Sequence, residues 1–177
     1  IHSDGTPPAD NPFPSKAPRV YSYGHRNPQG LVYDPATDRI LMHEHGPKGG
    51  DELNHISAGK NYGWPAITYG VDYSGAVISP FTEAEGMEQP LNYWVPSIGP
   101  SGFAIYRGDV FPEWQGDLLL GSLINQEIRR LRLVDDEITL DEAVFPEIKG
   151  RVRDVRVLPD GNIVAVTDEG DVFHISQ

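Results

Sequence analysis

The sequence has 177 residues, a net charge of −12 and no cysteine, with 19 glycines and 16 prolines spread along its length. The charge argues against binding to nucleic acid or anionic membranes, which needs basic side chains. The absence of cysteine excludes disulfides and thiolate metal sites, and no apolar run is long enough to span a bilayer. Residues 1–8 are rich in turn formers and carry neither an initiator Met nor a signal-peptide pattern, so we expect the chain to be part of a longer protein.

Apolar residues alternate with a period of two in short runs bounded by Gly, Pro, Asn and Asp, and no segment has the pattern of an amphipathic helix. The clearest repeat is the last, in which two runs are joined by the turn sequence PDGN at 159–162. In chain order, the runs predict strands at 19–23, 30–33, 39–44, 52–56, 102–106, 117–122, 127–133, 139–145, 154–158, 163–167 and 172–175.

Three diverged repeats of a four-stranded antiparallel unit predict an all-β protein. We interpret them as three blades of a β-propeller, with 19–23 and 139–145 as candidate fourth strands. An all-β sandwich is the alternative that the strand count permits, but the repeated strand-turn-strand pattern favours the propeller. Residues 58–98 are aromatic, rich in Gly and Pro, and show little alternation. We expect them to form a long ordered loop insertion, within one domain spanning 1–177, on the face where function tends to lie.

Two histidines and a Gly-Pro loop follow one another near the end of a predicted strand. His43 and His45 alternate and therefore share a face, with Glu44 opposite. A histidine zinc site would need a third ligand, and none is visible at a diagnostic spacing. The loop at Gly46 and Pro47 offers backbone carbonyls, which are ligands that calcium prefers, although a plain wide turn has the same composition.

A pair of arginines lies at the start of the last repeat. Arg151 and Arg153 share a face at period two on a predicted inner strand. Two guanidiniums on one face near a ring axis form a site for a polyanionic ligand, because Arg binds carboxylates in a bidentate manner. A pair of solvated surface charges is the alternative.

These clusters occur in an order that resembles the soluble glucose/sorbosone dehydrogenases, which use pyrroloquinoline quinone (PQQ) and calcium. The chain resembles the aldose sugar dehydrogenase branch most, because His45 stands where the glucose dehydrogenase branch has Gln. The matching segments are GHRNPQG at 24–30, EHGP at 44–47, GDE at 50–52, NYGWP at 61–65, RVRDV at 151–155, PDG at 159–161 and VTD at 166–168.

The resemblance implies a six-bladed propeller of about twice this length, of which this chain is the C-terminal half. It implies that the carbonyls of Gly46 and Pro47 hold the calcium that binds the cofactor. A second, structural calcium would lie at Glu52 and the carbonyl of Tyr62. The residues implied to contact or line the quinone site are Arg26, Asn27, His45, Arg151, Arg153 and Thr167.

The implied activity is oxidation of aldose sugars at C1 by hydride transfer to PQQ held by calcium, in the periplasm or outside the cell. The catalytic histidine of the family lies in the N-terminal half, and none of the six histidines here matches its motif, so we expect no catalytic residue in this chain and no activity from it alone. Ile124 stands where the glucose dehydrogenase branch has a Lys that meets the cofactor.

The two end faces of a half-ring lead to expectations about partners. Two blade faces lack neighbours, so we expect pairing with the N-terminal half of the same propeller or with a second copy. The alternative function is a non-catalytic calcium-binding propeller that binds a partner or ligand, since one fold supports both roles. Retention of Arg26 and of the pair Arg151 and Arg153 favours the enzyme, and Ile124 favours the alternative.

Overall fold

A computed structural model describes all residues from Ile1 to Gln177, and its regular structure is almost entirely β-strand. The only helical segment is a single 3₁₀ turn at Pro112–Trp114, so no helix has the length or apolar character needed to cross a bilayer. The strands are β1 (Pro28–Asp34), β2 (Arg39–Glu44), β3 (Asp51–Ile56), β4 (Asn92–Trp94), β5 (Pro100–Ile105), β6 (Leu118–Ser122), β7 (Glu127–Val134), β8 (Glu137–Val144), β9 (Val152–Val157), β10 (Ile163–Thr167) and β11 (Val172–Ile175).

The strands form three antiparallel sheets in chain order. The first sheet contains β1 to β4, the middle sheet β5 to β8, and the third sheet β9 to β11. The predicted all-β class is therefore confirmed. Strand β5 lies beside both β1 and β9, so the first strands of the three sheets are neighbours.

The predicted four-stranded unit is right for two sheets and wrong for the third, which has three strands. Residues 139–145 lie largely within β8, as expected. Residues 19–23 form no strand, because their backbone groups bond to residues 59–62 instead of a sheet edge; Tyr23 makes one isolated bridge, to Asn61. The fourth strand of the first sheet is β4, which lies inside the predicted 58–98 insertion and pairs with β3.

The core consists of two layers, one on each face of the middle sheet. Alternate residues of β6 point to opposite faces, so Leu118 and Leu120 pack towards the first sheet while Leu119 packs towards the third. All three are at most 2% exposed. The layer against the first sheet also contains Leu41, Leu53, Trp94, Ile98, Phe103 and Leu131, and the layer against the third contains Tyr106, Ile128, Ile148, Val152, Val155, Ile163 and Ala165.

The two outer sheets each keep apolar side chains in solvent. On the first sheet, Leu31 is 64% exposed and Tyr33 is 54% exposed. On the third sheet, Val172 is 69% exposed, and its strand β11 pairs with β10 alone. Only the middle sheet is covered on both faces.

His43 is fully buried between the first and middle sheets, and neither ring nitrogen has a hydrogen-bond partner. Its ring packs against Phe103, with centroids 4.8 Å apart. Gly30 makes room for it, since a Cβ there would lie 2.4 Å from Nε2. Burial lowers the pKa of His43 from 6.5 to about 3, with a smaller contribution from His45.

We predict that His43 makes the fold sensitive to acid. The folded protein keeps this imidazole neutral while the unfolded chain protonates it below its ordinary pKa of 6.5, so stability is lost as pH falls from 6.5 towards 3. The loss from this one group is about 2 kcal/mol at pH 5. His43→Leu should flatten the dependence of urea unfolding on pH between 7 and 5, whereas His174→Leu, at an exposed position, should not. An equal slope in wild type and His43→Leu would contradict the prediction.

Candidate functional site

Loops from all three sheets meet at one end of the fold and enclose a groove of about 220 Å³. His45, Gly46 and Pro47 follow β2 of the first sheet, Leu123 and Ile124 follow β6 of the middle sheet, and Arg151 precedes β9 of the third. The groove thus brings together four of the residues predicted to hold a cofactor or metal. The remaining lining residues are Asp51, Tyr73, Ser97 and Gly99.

Asp51 fixes the shape of the groove from beneath. Its side chain is 1% exposed and accepts four hydrogen bonds of 2.8–3.0 Å. One comes from the backbone N–H of Gly46, and the others come from the hydroxyl of Ser97 and the N–H groups of Ile98 and Gly99. A single carboxylate therefore ties the Gly-Pro loop to the segment that leads into β5.

Glu44 connects the two polar clusters of the first sheet. Its buried carboxylate accepts hydrogen bonds from the backbone N–H groups of Arg26, at 2.5 Å, and Asn27, at 3.1 Å. The ring of His25 pairs with the same carboxylate at 3.1 Å and stacks on Tyr62. Sequence reasoning set Glu44 opposite the two histidines without a role. The signal available in the sequence was its position two residues before Gly46.

Arg26 and Asn27 form hydrogen bonds to backbone groups of His45 and Gly46, which line the groove. The guanidinium of Arg26 donates to the carbonyls of His45, at 3.0 Å, and Gly46, at 2.7 Å, and lies over the ring of Trp64. Asn27 is exposed, and its carbonyl accepts the N–H of His45 at 3.0 Å. Neither side chain lines the groove, so their predicted contact with a quinone stays a prediction.

The ring of His45 is also held in place, since its Nε2 lies 2.7 Å from the carbonyl of Pro100. His43 and His45 therefore do not converge on one point, because one sits in the core and the other at the groove. The protein contains no group of three or more His, Cys, Asp or Glu side chains that could hold a metal ion. A histidine-based metal site has no structural support.

Arg151 and Arg153 are both exposed and flank the fully buried Val152, as the period-two pattern predicts. Both guanidiniums reach the carboxylate of Asp168 at the end of β10. Arg151 lines the groove, whereas Arg153 lines a neighbouring cavity of about 340 Å³ with Gln29 and Gly102. Thr167 is buried just before Asp168, where its N–H donates to the carbonyl of Asp171.

Glu52 and Tyr62 line a second cavity of only about 10 Å³, together with Glu44 and Arg26, and the cavity shares His45 and Gly46 with the groove. Burial raises the pKa of Glu52 to about 7, and the nearby carboxylates of Glu44 and Asp51 add to the shift. Two carboxyl groups thus share a space that holds little more than one ion or water. These carboxyl groups supply oxygen atoms of the kind that calcium binds, and the guanidinium of Arg26 lines the same cavity.

At one end of three antiparallel sheets, the groove thus sets a Gly-Pro loop of the first sheet beside the guanidinium of Arg151 from the third. The glucose/sorbosone dehydrogenase family profile matches residues 1–174, and the chain belongs to that family.

Relatives and solved structures of dehydrogenases match the chain over nearly its whole length. It is 41% identical to the aldose sugar dehydrogenase of Escherichia coli over 184 residues, which is 99% of this chain and 49% of that protein. A glucose dehydrogenase crystal structure superposes with a TM-score of 0.92 at 44% identity, over 99% of this chain and 52% of the other. The PQQ-bound aldose sugar dehydrogenase of Streptomyces coelicolor superposes with a TM-score of 0.73 at 30% identity, over 99% and 50%. The chain spans about half the length of each.

Proposed function

We propose that this chain is the C-terminal half of a six-bladed β-propeller that oxidises aldose sugars with PQQ and calcium. The observation that carries the proposal is the groove itself. It gathers Gly46 and Pro47 from the first sheet and Arg151 from the third, although these residues are about a hundred positions apart in the sequence. The PQQ-bound relative, at 30% identity over the whole chain, supports the same ligand here.

The groove residues fit the cofactor by their chemistry. The guanidiniums of Arg151, in the groove, and of Arg153, in the neighbouring cavity, suit the carboxylates of PQQ. Thr167 lines neither space, and its assignment to the proposed site follows from the family resemblance. The carbonyl of Gly46 accepts a hydrogen bond from the guanidinium of Arg26 at 2.7 Å, so calcium bound there would use the second lone pair of this oxygen or displace that donor. We assign the calcium to the carbonyls of Gly46 and Pro47, and the quinone contacts to the remaining residues, Arg26, Asn27 and His45.

The chemistry that this cofactor supplies when bound is acceptance of hydride from the sugar C1, with calcium as the Lewis acid. The chain's own residues bind and orient. His45 is the only histidine in the groove, and its Nε2 is engaged with Pro100. A base for the sugar hydroxyl therefore comes from outside this chain, which alone is inactive under this proposal.

The exposed apolar surfaces of the two outer sheets support the N-terminal half of the propeller as the partner of this chain. Leu31 and Tyr33 on one side and Val172 on the other are apolar and exposed, and the edge of β11 is open. The N-terminal half of the same propeller would cover both faces and add a strand to the third sheet. A second copy of this chain is the other partner we consider, and a periplasmic or extracellular location is part of the proposal.

The activity is tested by complementation. This chain, produced together with the N-terminal half of a family member, should oxidise aldoses with an artificial electron acceptor when PQQ and calcium are present. Neither half alone should do so. A reconstituted ring that binds PQQ but oxidises no aldose would contradict the proposed substrate class, and one that binds no PQQ would contradict the proposed function.

A non-catalytic calcium-binding propeller is favoured by one observation. Ile124 is 55% exposed and lines the groove with Tyr73, so that wall is apolar where the glucose dehydrogenase branch supplies a Lys. Under this alternative the protein responds to calcium and binds no PQQ.

Calcium should stabilise the chain. A cation that binds only the folded form raises the melting temperature. At a concentration a hundred times its dissociation constant it adds about 2.7 kcal/mol to the free energy of unfolding. Glu52→Gln removes a partly buried carboxylate from the small cavity and should reduce the rise, whereas Glu137→Gln, at an exposed site, should preserve it. The measurement is thermal unfolding in chelator and in millimolar calcium. An unchanged melting curve would rule out both calcium sites.

A further inference from the structure

Asp168 lies between the two arginines that flank Val152. Its Oδ2 is 3.0 Å from Nε of Arg151, while its Oδ1 and Oδ2 are 2.7 and 2.9 Å from Nε and Nη2 of Arg153. All three side chains are partly exposed, at 47%, 48% and 30%. One carboxylate therefore holds two guanidiniums that line different spaces, the groove and the neighbouring cavity.

The backbone places Asp168 at this point. The β9–β10 register shifts between Val166 and Thr167, so that Thr167 pairs with Val152. The N–H of Asp168 then donates to the carbonyl of Arg151 at 2.9 Å, and the N–H of Arg151 reaches the carboxylate of Glu169 at 3.2 Å. The carboxylate and the first arginine are thus tied to each other through main chain as well as side chain.

The hydrogen bonds to Asp168 leave specific donors for a ligand. Each guanidinium has five N–H groups. Asp168 engages Nε of Arg151 and the Nε and Nη2 of Arg153, which leaves both terminal amino groups of Arg151 and Nη1 of Arg153. An arginine whose Nε edge is already held loses less conformational freedom when a ligand binds its other edge.

We propose that Asp168 is a positioning residue, which holds Arg151 and Arg153 in the orientation that a ligand with several carboxylates needs. The inference rests on the proposed function for the identity of that ligand. The hydrogen bonds from Arg153 and then Arg151 lower the pKa of Asp168 to about 2, so it is ionised at neutral pH. Its charge opposes an anionic ligand while its position assists one, and two substitutions separate these effects.

The experiment compares PQQ affinity in the complete ring that contains this chain. Asp168→Ala removes both the charge and the acceptors, and we expect it to weaken binding by about 3- to 10-fold because two side chains become free. Asp168→Asn removes the charge but keeps an amide oxygen, and should recover at least part of the loss. Glu142→Ala, on the outer strand β8, removes a carboxylate from Arg130 of β7 and should leave affinity unchanged.

Two outcomes would overturn the inference. Asp168→Ala binding as tightly as wild type, or more tightly, would mean that Asp168 only competes with the ligand for the arginines. Asp168→Asn binding as weakly as Asp168→Ala would mean that the retained acceptor does not position them. In both of these outcomes the wild-type ring still binds PQQ, so the proposed function stands. A wild-type ring that fails to bind PQQ would contradict the proposed function and this inference together.

Discussion

Replacing Asp51 with alanine is expected to lower the free energy of unfolding by about 3 kcal/mol or more. The side chain is buried and satisfies four donors, on Gly46, Ser97, Ile98 and Gly99. Each buried donor left without a partner costs about 1–3 kcal/mol, and part of that cost is relieved where water can enter. The same substitution releases the Gly-Pro loop, so the response to calcium should weaken as well.

Urea unfolding of the full chain measures this effect. Asp51→Asn keeps the volume and one acceptor, so we expect a smaller loss than for alanine. Asp72→Ala is the matched control, because that carboxylate also accepts a backbone and a hydroxyl donor, from Ser74, but is exposed in a turn. A loss below about 1 kcal/mol for Asp51→Ala, or one equal to the Asp72 control, would show that the carboxylate does not organise the groove.

Replacing Arg153 with alanine is expected to weaken PQQ binding to the complete ring by about 10- to 150-fold. That range corresponds to loss of one charge-assisted contact of roughly 1.5–3 kcal/mol. Because the arginine is exposed, the effect should shrink as ionic strength rises. Arg153 also holds Asp168, so part of the loss comes from the orientation of Arg151.

Arg39→Ala is the control for this prediction. Arg39, on β2 of the first sheet, forms an ion pair at 2.9 Å with Asp136 in the β7–β8 turn of the middle sheet, and it lines neither the groove nor its neighbouring cavity. Its removal takes the same charge from the protein and should leave PQQ affinity unchanged. Equal affinities for wild type, Arg153→Ala and Arg39→Ala would show that Arg153 is an ordinary surface charge.

Local alternation was enough to predict most strands. The β9–β10 hairpin, for example, follows from apolar alternation on either side of a PDGN turn. Alternation failed where pairing is decided at a distance. Residues 19–23 alternate but bond to 59–62, while the three-residue strand β4 has no pattern of its own and exists because β3 offers it an edge.

The groove residues were predictable only in part, for a similar reason. The motifs around Gly46 and Arg151 indicated hard-oxygen and guanidinium donors directly. The carboxylates that hold these donors, Asp51, Glu44 and Asp168, act through contacts that the fold creates. A buried acidic residue next to a Gly-rich loop gives no hint of which distant N–H groups it will accept.

Titration of PQQ into the complete ring tests the central claim most directly, because it asks whether the groove holds the cofactor before any sugar is involved. The account predicts saturable binding at one site per ring that is lost when calcium is chelated and weakened by salt. Saturable binding that does not depend on calcium would contradict the assignment of calcium to the carbonyls of Gly46 and Pro47. No saturable binding with calcium present would contradict the proposed function.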